Sequence, residues 1–296
     1  MKHWIQAARL RTLPLSLSGI IVGSAYAYHQ GFLDNKILIL AFLTTLGLQI
    51  LSNYANDYGD GIKGTDANRI GEKRMVAAGV ISAKQMKKAV ISLSIITLLL
   101  ALSLIYVAFG KENFALSMIF ILLGIGAIGA AIKYTVGSNA YGYNGLGDLF
   151  VFVFFGLVSV IGSNFLFTKM LDWKLLLPAI TIGLLSVAVL NLNNMRDIEN
   201  DKKAGKMTLV VKMGLVKAKI YHQFLLAIAS LSFLTFNLLT NTSLIPILLV
   251  DLVFLIHIIK IKRSISYEDF DPELKKIALS TFALSLFFWI TLIFQS

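Results

Sequence analysis

The sequence predicts an all-α integral membrane protein, nine transmembrane helices in a single bundle, and three observations predict it. Hydrophobic residues make up 57% of the 296-residue chain and charged ones only 15%, giving a mean hydropathy of +0.77. An ordinary soluble domain is far less apolar. The apolar residues form continuous runs near the length, about 20 residues, that a helix needs to cross a bilayer core of roughly 30 Å. These runs do not alternate, so the dyad pattern of a membrane barrel is missing, whereas a helix satisfies its backbone groups internally.

In order, the runs are Leu13 to His29, Ile37 to Ser52, Val90 to Phe109, Phe114 to Ile132, Leu149 to Phe167, Leu175 to Leu192, Phe224 to Leu239, Leu244 to Ile259, and Ile277 to Phe294. The basic, amphipathic MKHWIQAARLRTLP precedes the first run, and no small-residue cleavage site follows it. That run is therefore expected to stay in the mature protein as a span. With no Cys, disulfides and thiolate metal sites are excluded. Of the 27 Lys and Arg behind the net charge of +11, 23 fall in connections on the side of the N-terminus. The other side has four: Lys36, Lys111, Lys169 and Lys174. The positive-inside rule then expects the N-terminus in the cytoplasm and the C-terminus outside, in the inner (plasma) membrane. Basic loops serve as topology signals or contacts with anionic lipid, and nucleic acid is not an expected partner. No Pro-, Ser- or charge-rich linker divides the chain, so one domain over 1–296 is expected, and no obligatory protein partner is evident.

The two longest polar connections follow the second and sixth runs and carry the same kind of text: NYANDYGDGIKGTD from Asn53 to Asp66, and NLNNMRDIENDKKAGKMT from Asn191 to Thr208. Each has an Asn four residues before an Asp, Asn53 with Asp57 and Asn193 with Asp197, and a further Asp within about one turn, Asp60 and Asp201. Four runs separate them, an even number, which places both Asp-rich connections on the same, cytoplasmic face. The repetition suggests an ancient duplication with halves near 1–134 and 135–296.

Residues four apart share a helix face, so Asn53 with Asp57, and Asn193 with Asp197 and Asp201, project as stacked oxygen ligands. Close carboxylates repel unless a cation answers them. Mg²⁺ prefers hard oxygens and uses one or two carboxylates plus substrate phosphates, so paired acidic clusters suit a Mg²⁺-bridged diphosphate. Asp57, Asp60, Asp197 and Asp201 are the expected catalytic acids, and with Asn53 the expected metal ligands. Lys63, Arg74, Arg196, Lys202 and Lys206 are placed to bind phosphate oxygens and to stabilise a diphosphate leaving group. Asn56, Asp66 and Asn194, with Asn53 and Asn193, are further expected substrate contacts.

A third polar stretch, YTVGSNAYGYNGLGD from Tyr134 to Asp148, combines four Gly with three Tyr, allowing close backbone approach and offering flat rings to a planar ligand or a cation. Tyr134, Tyr141 and Asp148 are its expected substrate contacts, although Tyr is also common at membrane interfaces. Within the spans, Gln49, Asn164, Asn191 and Asp251 are polar, which calls for a functional reading by default. Asp251 is expected to pair with a base on another helix or to stay protonated, and His257 to sit at the interface, with no second His at ligand spacing.

These residues resemble the UbiA superfamily of intramembrane prenyltransferases, most closely the branch that prenylates 1,4-dihydroxy-2-naphthoate on the way to menaquinone. NYANDYGDGIKGTD is similar to the family's first Asp-rich motif and NNMRDIENDKKAGKMT to its second. YGYNGLGDLFVFVFFG, Tyr141 to Gly156, resembles a stretch of the naphthoate enzymes, and ARLRTLP fits the family's opening. GEKRMVAAG, Gly71 to Gly79, departs from the family's more uniform basic motif, which favours Arg74 over Lys73 for phosphate. The resemblance implies a Mg²⁺-dependent enzyme that ionises a polyprenyl diphosphate, its tail lying in lipid, to an allylic cation. The electron-rich naphthoate ring attacks this cation and loses CO₂ to give demethylmenaquinone. A sister enzyme acting on 4-hydroxybenzoate or another aromatic acceptor stays open. A transporter with a cytoplasmic cation site is the alternative of a different class, disfavoured because the acids lie at helix ends and not near the midplane.

Overall fold

The computed structural model describes residues 1–65 and 72–295, so Asp66 lies outside the described residues. Every regular element among the described residues is helical: α1 Lys2–Ala8, α2 Leu13–His29, α3 Asn35–Lys63, α4 Ala83–Phe109, α5 Phe114–Lys133, α6 Gly147–Thr168, α7 Leu176–Arg196, α8 Ile198–Lys203, α9 Leu209–Thr240, α10 Ile245–Arg263 and α11 Phe270–Ile293. Seven helices, α3 to α7, α9 and α11, are long and apolar enough to cross a membrane. The chain is a multi-pass membrane protein.

The helices form two compact units that interleave along the chain. The first comprises Met1–Leu13, Asn35–Gly147 and Asp197–Val211. Its packing begins where the α3 and α4 faces meet through Leu51, Ala55 and Val90, with Ile128 and Ile132 of α5 against them. α4 starts at a capping box: the Ser82 hydroxyl accepts from the Gln85 N–H at 3.2 Å, and Gln85 Oε1 accepts from the Ser82 N–H at 3.0 Å. α1 lays Trp4 and Ala7 on Met75, Ile81 and Met86.

The second unit holds Pro14–Asp34, Asp148–Arg196 and Lys212–Ser296. In α2, Gly19 and Gly23 lie so close to Ser159 and Ser163 of α6 that a Cβ on either glycine would overlap the serine side chain. This is the small-residue spacing that lets membrane helices approach backbone to backbone. α6 winds more widely than an α-helix from Phe152 to Gly162, a π stretch. α9 kinks at Gly214, whose φ of 78° suits glycine. Phe233 and Phe236 of α9 pack edge-on with Phe288 of α11, centroids 5.3 and 5.9 Å apart.

Three sequence expectations need correction. The first Asp-rich stretch is not a loop: α3 runs through Lys63, because Asn53 to Lys63 breaks the apolar run but not the helix, which stops at Gly64 (φ 74°). α9 and α11 likewise begin well before Phe224 and Ile277, because Lys212, Lys217 and Lys219 break the apolar run in α9 and the first turns of α11 are polar. His257 is not an interface residue. It is fully buried, its Nε2 2.7 Å from His222 Nε2 and its Nδ1 2.5 Å from Glu273 Oε2, because folding brings α9, α10 and α11 together where sequence spacing showed no second His. Asp251 has a hydroxyl partner, Ser230, which donates to Oδ1 at 2.5 Å.

Candidate active site

The last three turns of α3 carry Asn53, Asn56, Asp57, Asp60 and Lys63, all within the first unit. Asn53 donates to the Ala8 carbonyl at 2.8 Å and the Thr12 hydroxyl at 3.1 Å, tying the N-terminal segment to α3. Asp57 is buried and accepts the Met75 N–H at 2.9 Å on one oxygen and the Val76 N–H at 2.9 Å on the other. Two charge-assisted bonds thereby fix the segment that carries buried Arg74. Asn56 Oδ1 accepts from Thr135 at 3.2 Å.

Asp60 faces another way. Its Oδ1 accepts from the Tyr143 hydroxyl at 2.8 Å, and its Oδ2 lies 3.9 Å from Lys206 Nζ. The same ammonium lies 3.8 Å from Asp201 Oδ1, so one acid of each Asp-rich stretch meets at one buried lysine. Glycines flanking Asp60 make this possible: a Cβ on Gly59 would come within 2.6 Å of Thr135 Oγ1, and one on Gly61 within 2.7 Å of Val76 Cγ1. On the far side, Gly205 (φ 70°) ends α8 and turns the chain so that the Lys206 N–H donates to the Asp201 carbonyl at 2.8 Å.

Tyr143 is the hub. Its hydroxyl is 2.6 Å from that of Thr65, its carbonyl accepts the Met207 N–H at 3.0 Å, and Lys63 Nζ sits 3.9 Å above its ring while donating to the Thr135 carbonyl at 2.8 Å. Asn200 adds a bond from α8 to the Thr65 carbonyl at 2.5 Å. Burial, then the charge of Asp60, pushes the Tyr143 hydroxyl pKa up, so it stays protonated and donates. For Lys206, burial alone would lower the pKa, but Asp60 and Asp201, helped by Tyr134 and Tyr143, override it and hold the ammonium charged.

Residues 16–291 match the profile of the UbiA prenyltransferase family. The chain belongs to that family. It is 49% identical over 247 residues to a 1,4-dihydroxy-2-naphthoate octaprenyltransferase of Haemophilus influenzae, covering 82% of this chain and 79% of that protein. Against the Escherichia coli protein of the same name the identity is 47%, covering 81% and 78%. Among solved structures, a UbiA homologue from Archaeoglobus fulgidus bound to GPP and Mg²⁺ superposes with a TM-score of 0.61 at 16% identity, over 96% of this chain and 99% of that one. That likeness establishes the UbiA fold.

The donor set of this UbiA member fits Mg²⁺. Asp60 and Asp201 offer hard carboxylate oxygens that share one cation, the Lys206 ammonium. Among the described residues no three His or acidic side chains gather closely enough to hold an ion by themselves.

The remaining expected residues are placed as follows. Asp197, buried, precedes α8, and its carbonyl accepts the Asp201 N–H at 2.8 Å. Lys202 is exposed. Tyr134 lies 6.0 Å, ring to nitrogen, from Lys206, and Tyr141 packs edge-on against it while donating to the Ala130 carbonyl at 2.9 Å. In the second unit Arg196 is fully buried, ion-paired with Asp271 and bonded to Asn193 Oδ1 at 2.7 Å. It is thus engaged within that unit, with Asn194 buried two residues before it. Asp148 accepts from Tyr221 at 3.0 Å. Sequence reasoning missed Tyr143, Thr65 and Asn200. Tyr143 stood in the Gly- and Tyr-rich stretch, yet nothing in the spacing separated it from Tyr141.

Proposed function

We propose that this chain transfers a polyprenyl group from polyprenyl diphosphate to 1,4-dihydroxy-2-naphthoate with loss of CO₂, giving the naphthalene-1,4-diol that is the reduced form of demethylmenaquinone. The observation that carries the reading is the meeting of Asp60 and Asp201, one from each Asp-rich stretch, at Lys206. The acceptor is supported by the 37–49% identity to proteins named 1,4-dihydroxy-2-naphthoate octaprenyltransferase.

Asp60 and Asp201, which meet at Lys206, are the proposed Mg²⁺ ligands, while Asp57, its two oxygens taken by the Met75 and Val76 N–H groups, holds the segment that carries Arg74. When bound, Mg²⁺ would neutralise diphosphate oxygens and make the group a better leaving group. Lys63 and Lys206, set about the Tyr143 ring, and Arg74 bind the other phosphate oxygens. The Tyr143 hydroxyl holds Asp60 in one orientation. The carbon–oxygen bond of the donor breaks, its electron pair leaving with diphosphate. The ring carbon bearing the carboxylate then forms the new carbon–carbon bond, and the electrons of the departing carboxylate restore aromaticity. Nine helices, α2 and α10 included, are proposed to cross the inner membrane with the N-terminus and both acidic helix ends in the cytoplasm, so that the tail rests in lipid.

The test is a product assay with mass detection on membranes given a prenyl diphosphate and, separately, 1,4-dihydroxy-2-naphthoate or 4-hydroxybenzoate. The prenylated, decarboxylated naphthalene product is expected from the first acid alone. A product from hydroxybenzoate only would replace the acceptor.

A further inference from the structure

We propose that Lys206 is a built-in counter-cation for the Asp60–Asp201 pair, displaced by a divalent metal only when a diphosphate arrives to receive its ammonium. The inference rests on reading these two acids as metal ligands and concerns the order in which metal and substrate bind.

Both acids and the lysine are buried, their side chains 9% exposed or less. Two carboxylates so placed need a cation, and the ammonium supplies one without a hydrogen bond: 3.9 and 3.8 Å are beyond hydrogen-bonding reach. One ammonium offsets one of the two negative charges, and its hold is loose. The backbone under it is not loose. The Lys206 N–H is bonded to the Asp201 carbonyl at 2.8 Å and the next N–H, of Met207, to the Tyr143 carbonyl at 3.0 Å, so displacement falls to the side chain alone.

A divalent ion entering between these carboxylates competes with the ammonium for the same oxygens and is repelled by it, most strongly where water is scarce. If the ammonium stays, the metal loses much of its attraction. If it leaves with no anion to join, a buried cation is stranded. A diphosphate resolves both difficulties by bridging the metal and accepting the released lysine. The faces of Tyr143 and Tyr134, 5.5 and 6.0 Å from Nζ, offer that lysine a cation-compatible path. Lys63, 3.9 Å from the centroid of the same Tyr143 ring and held by the Thr135 carbonyl, supplies a second lysine for the diphosphate. Metal and diphosphate should therefore bind together, free metal being kept out by the lysine.

The experiment uses the full chain in detergent micelles. Binding of Mn²⁺ alone is read by electron paramagnetic resonance, and the thermal midpoint is followed with Mg²⁺, inorganic pyrophosphate, or both. Lys206→Met should bind Mn²⁺ at least about tenfold more tightly than wild type, while Lys206→Arg stays near wild type. In the wild type, Mg²⁺ alone should move the midpoint by no more than about 1 °C, and Mg²⁺ with pyrophosphate by several degrees beyond the separate shifts. This arm needs no variant to fold. Mg²⁺ alone giving wild type the full shift, or Mn²⁺ binding wild type as tightly as Lys206→Met, overturns the lysine's role. If Asp60→Asn then abolishes that binding, the metal-ligand reading still stands. No metal binding to any form, with or without pyrophosphate, removes both.

Discussion

Two neighbouring acids of α3 have different work, and substitution separates them. Asp57 takes two backbone N–H groups of the segment beside Arg74, whereas Asp60 faces Tyr143 and Lys206. Asp57→Asn keeps one acceptor and loses the other, so it should lower stability by about 1.5–3 kcal/mol, read as a fall in thermal midpoint. Asp60→Asn and Asp201→Asn should cut turnover by roughly 100-fold or more, since several kcal/mol of leaving-group stabilisation depend on them. Full turnover in either would remove that acid from the metal site. The tyrosines divide in the same way. Tyr143→Phe loses a hydrogen bond to a buried carboxylate, which should cost about 1.5–3 kcal/mol of stability and lower kcat/KM about tenfold or more. Tyr141→Phe loses only a bond to the Ala130 carbonyl, and should cost about 1 kcal/mol of stability while sparing the reaction.

At the scale of elements, close approach decides what α3 can tolerate. An alanine at Gly59 would drive its Cβ to 2.6 Å from Thr135 Oγ1 and 2.8 Å from the Thr135 carbonyl carbon, backbone that cannot yield cheaply. Gly59→Ala should therefore destabilise by about 1–3 kcal/mol and lower turnover with it. Gly126→Ala on α5, where the added carbon meets nothing within 4 Å, should be neutral or stabilising by up to about 1 kcal/mol. Equal midpoints for the two variants would show that the α3 contact is not tight. The same contrast explains how much was legible in the sequence. Spacings of three and four put Asn53, Asp57 and Asp60 on a helix end, since helical periodicity is local. Which tyrosine meets Asp60 depends on the turn at Gly145 (φ 81°) and on the Met207 bond to Tyr143, both set by distant packing. Lys212, Lys217 and Lys219 of α9 and the polar start of α11 hid the first turns of both helices from a reading based on apolar runs. The π stretch from Phe152 to Gly162 leaves no mark in residues as uniformly apolar as FVFFGLVSVIG.

For the whole molecule, the open quantity is the number of crossings. Seven helices meet the length and hydropathy of a span, while α2, with 17 residues, and α10, with 19, are the marginal cases. Charge decides between the two arrangements. With nine crossings the 27 Lys and Arg divide 23 to four; with α2 and α10 lying along the surface they would divide 15 to 12, and the bias that orients membrane proteins would all but vanish. At about 1.5 Å per residue, the 17 residues of α2 reach roughly 26 Å, which a modest local thinning of the bilayer accommodates. Because the chain has no Cys, each engineered thiol is the sole target for a membrane-impermeant maleimide. Lys2→Cys and Lys36→Cys bracket α2, and Asn241→Cys and Lys262→Cys bracket α10, all at exposed positions. Nine crossings require the two ends of each helix to react from opposite faces, Lys2→Cys and Lys262→Cys from the cytoplasm. If both ends of α2 or of α10 react from one face, that helix does not cross, and the acidic ends of α3 and α8 must be oriented anew.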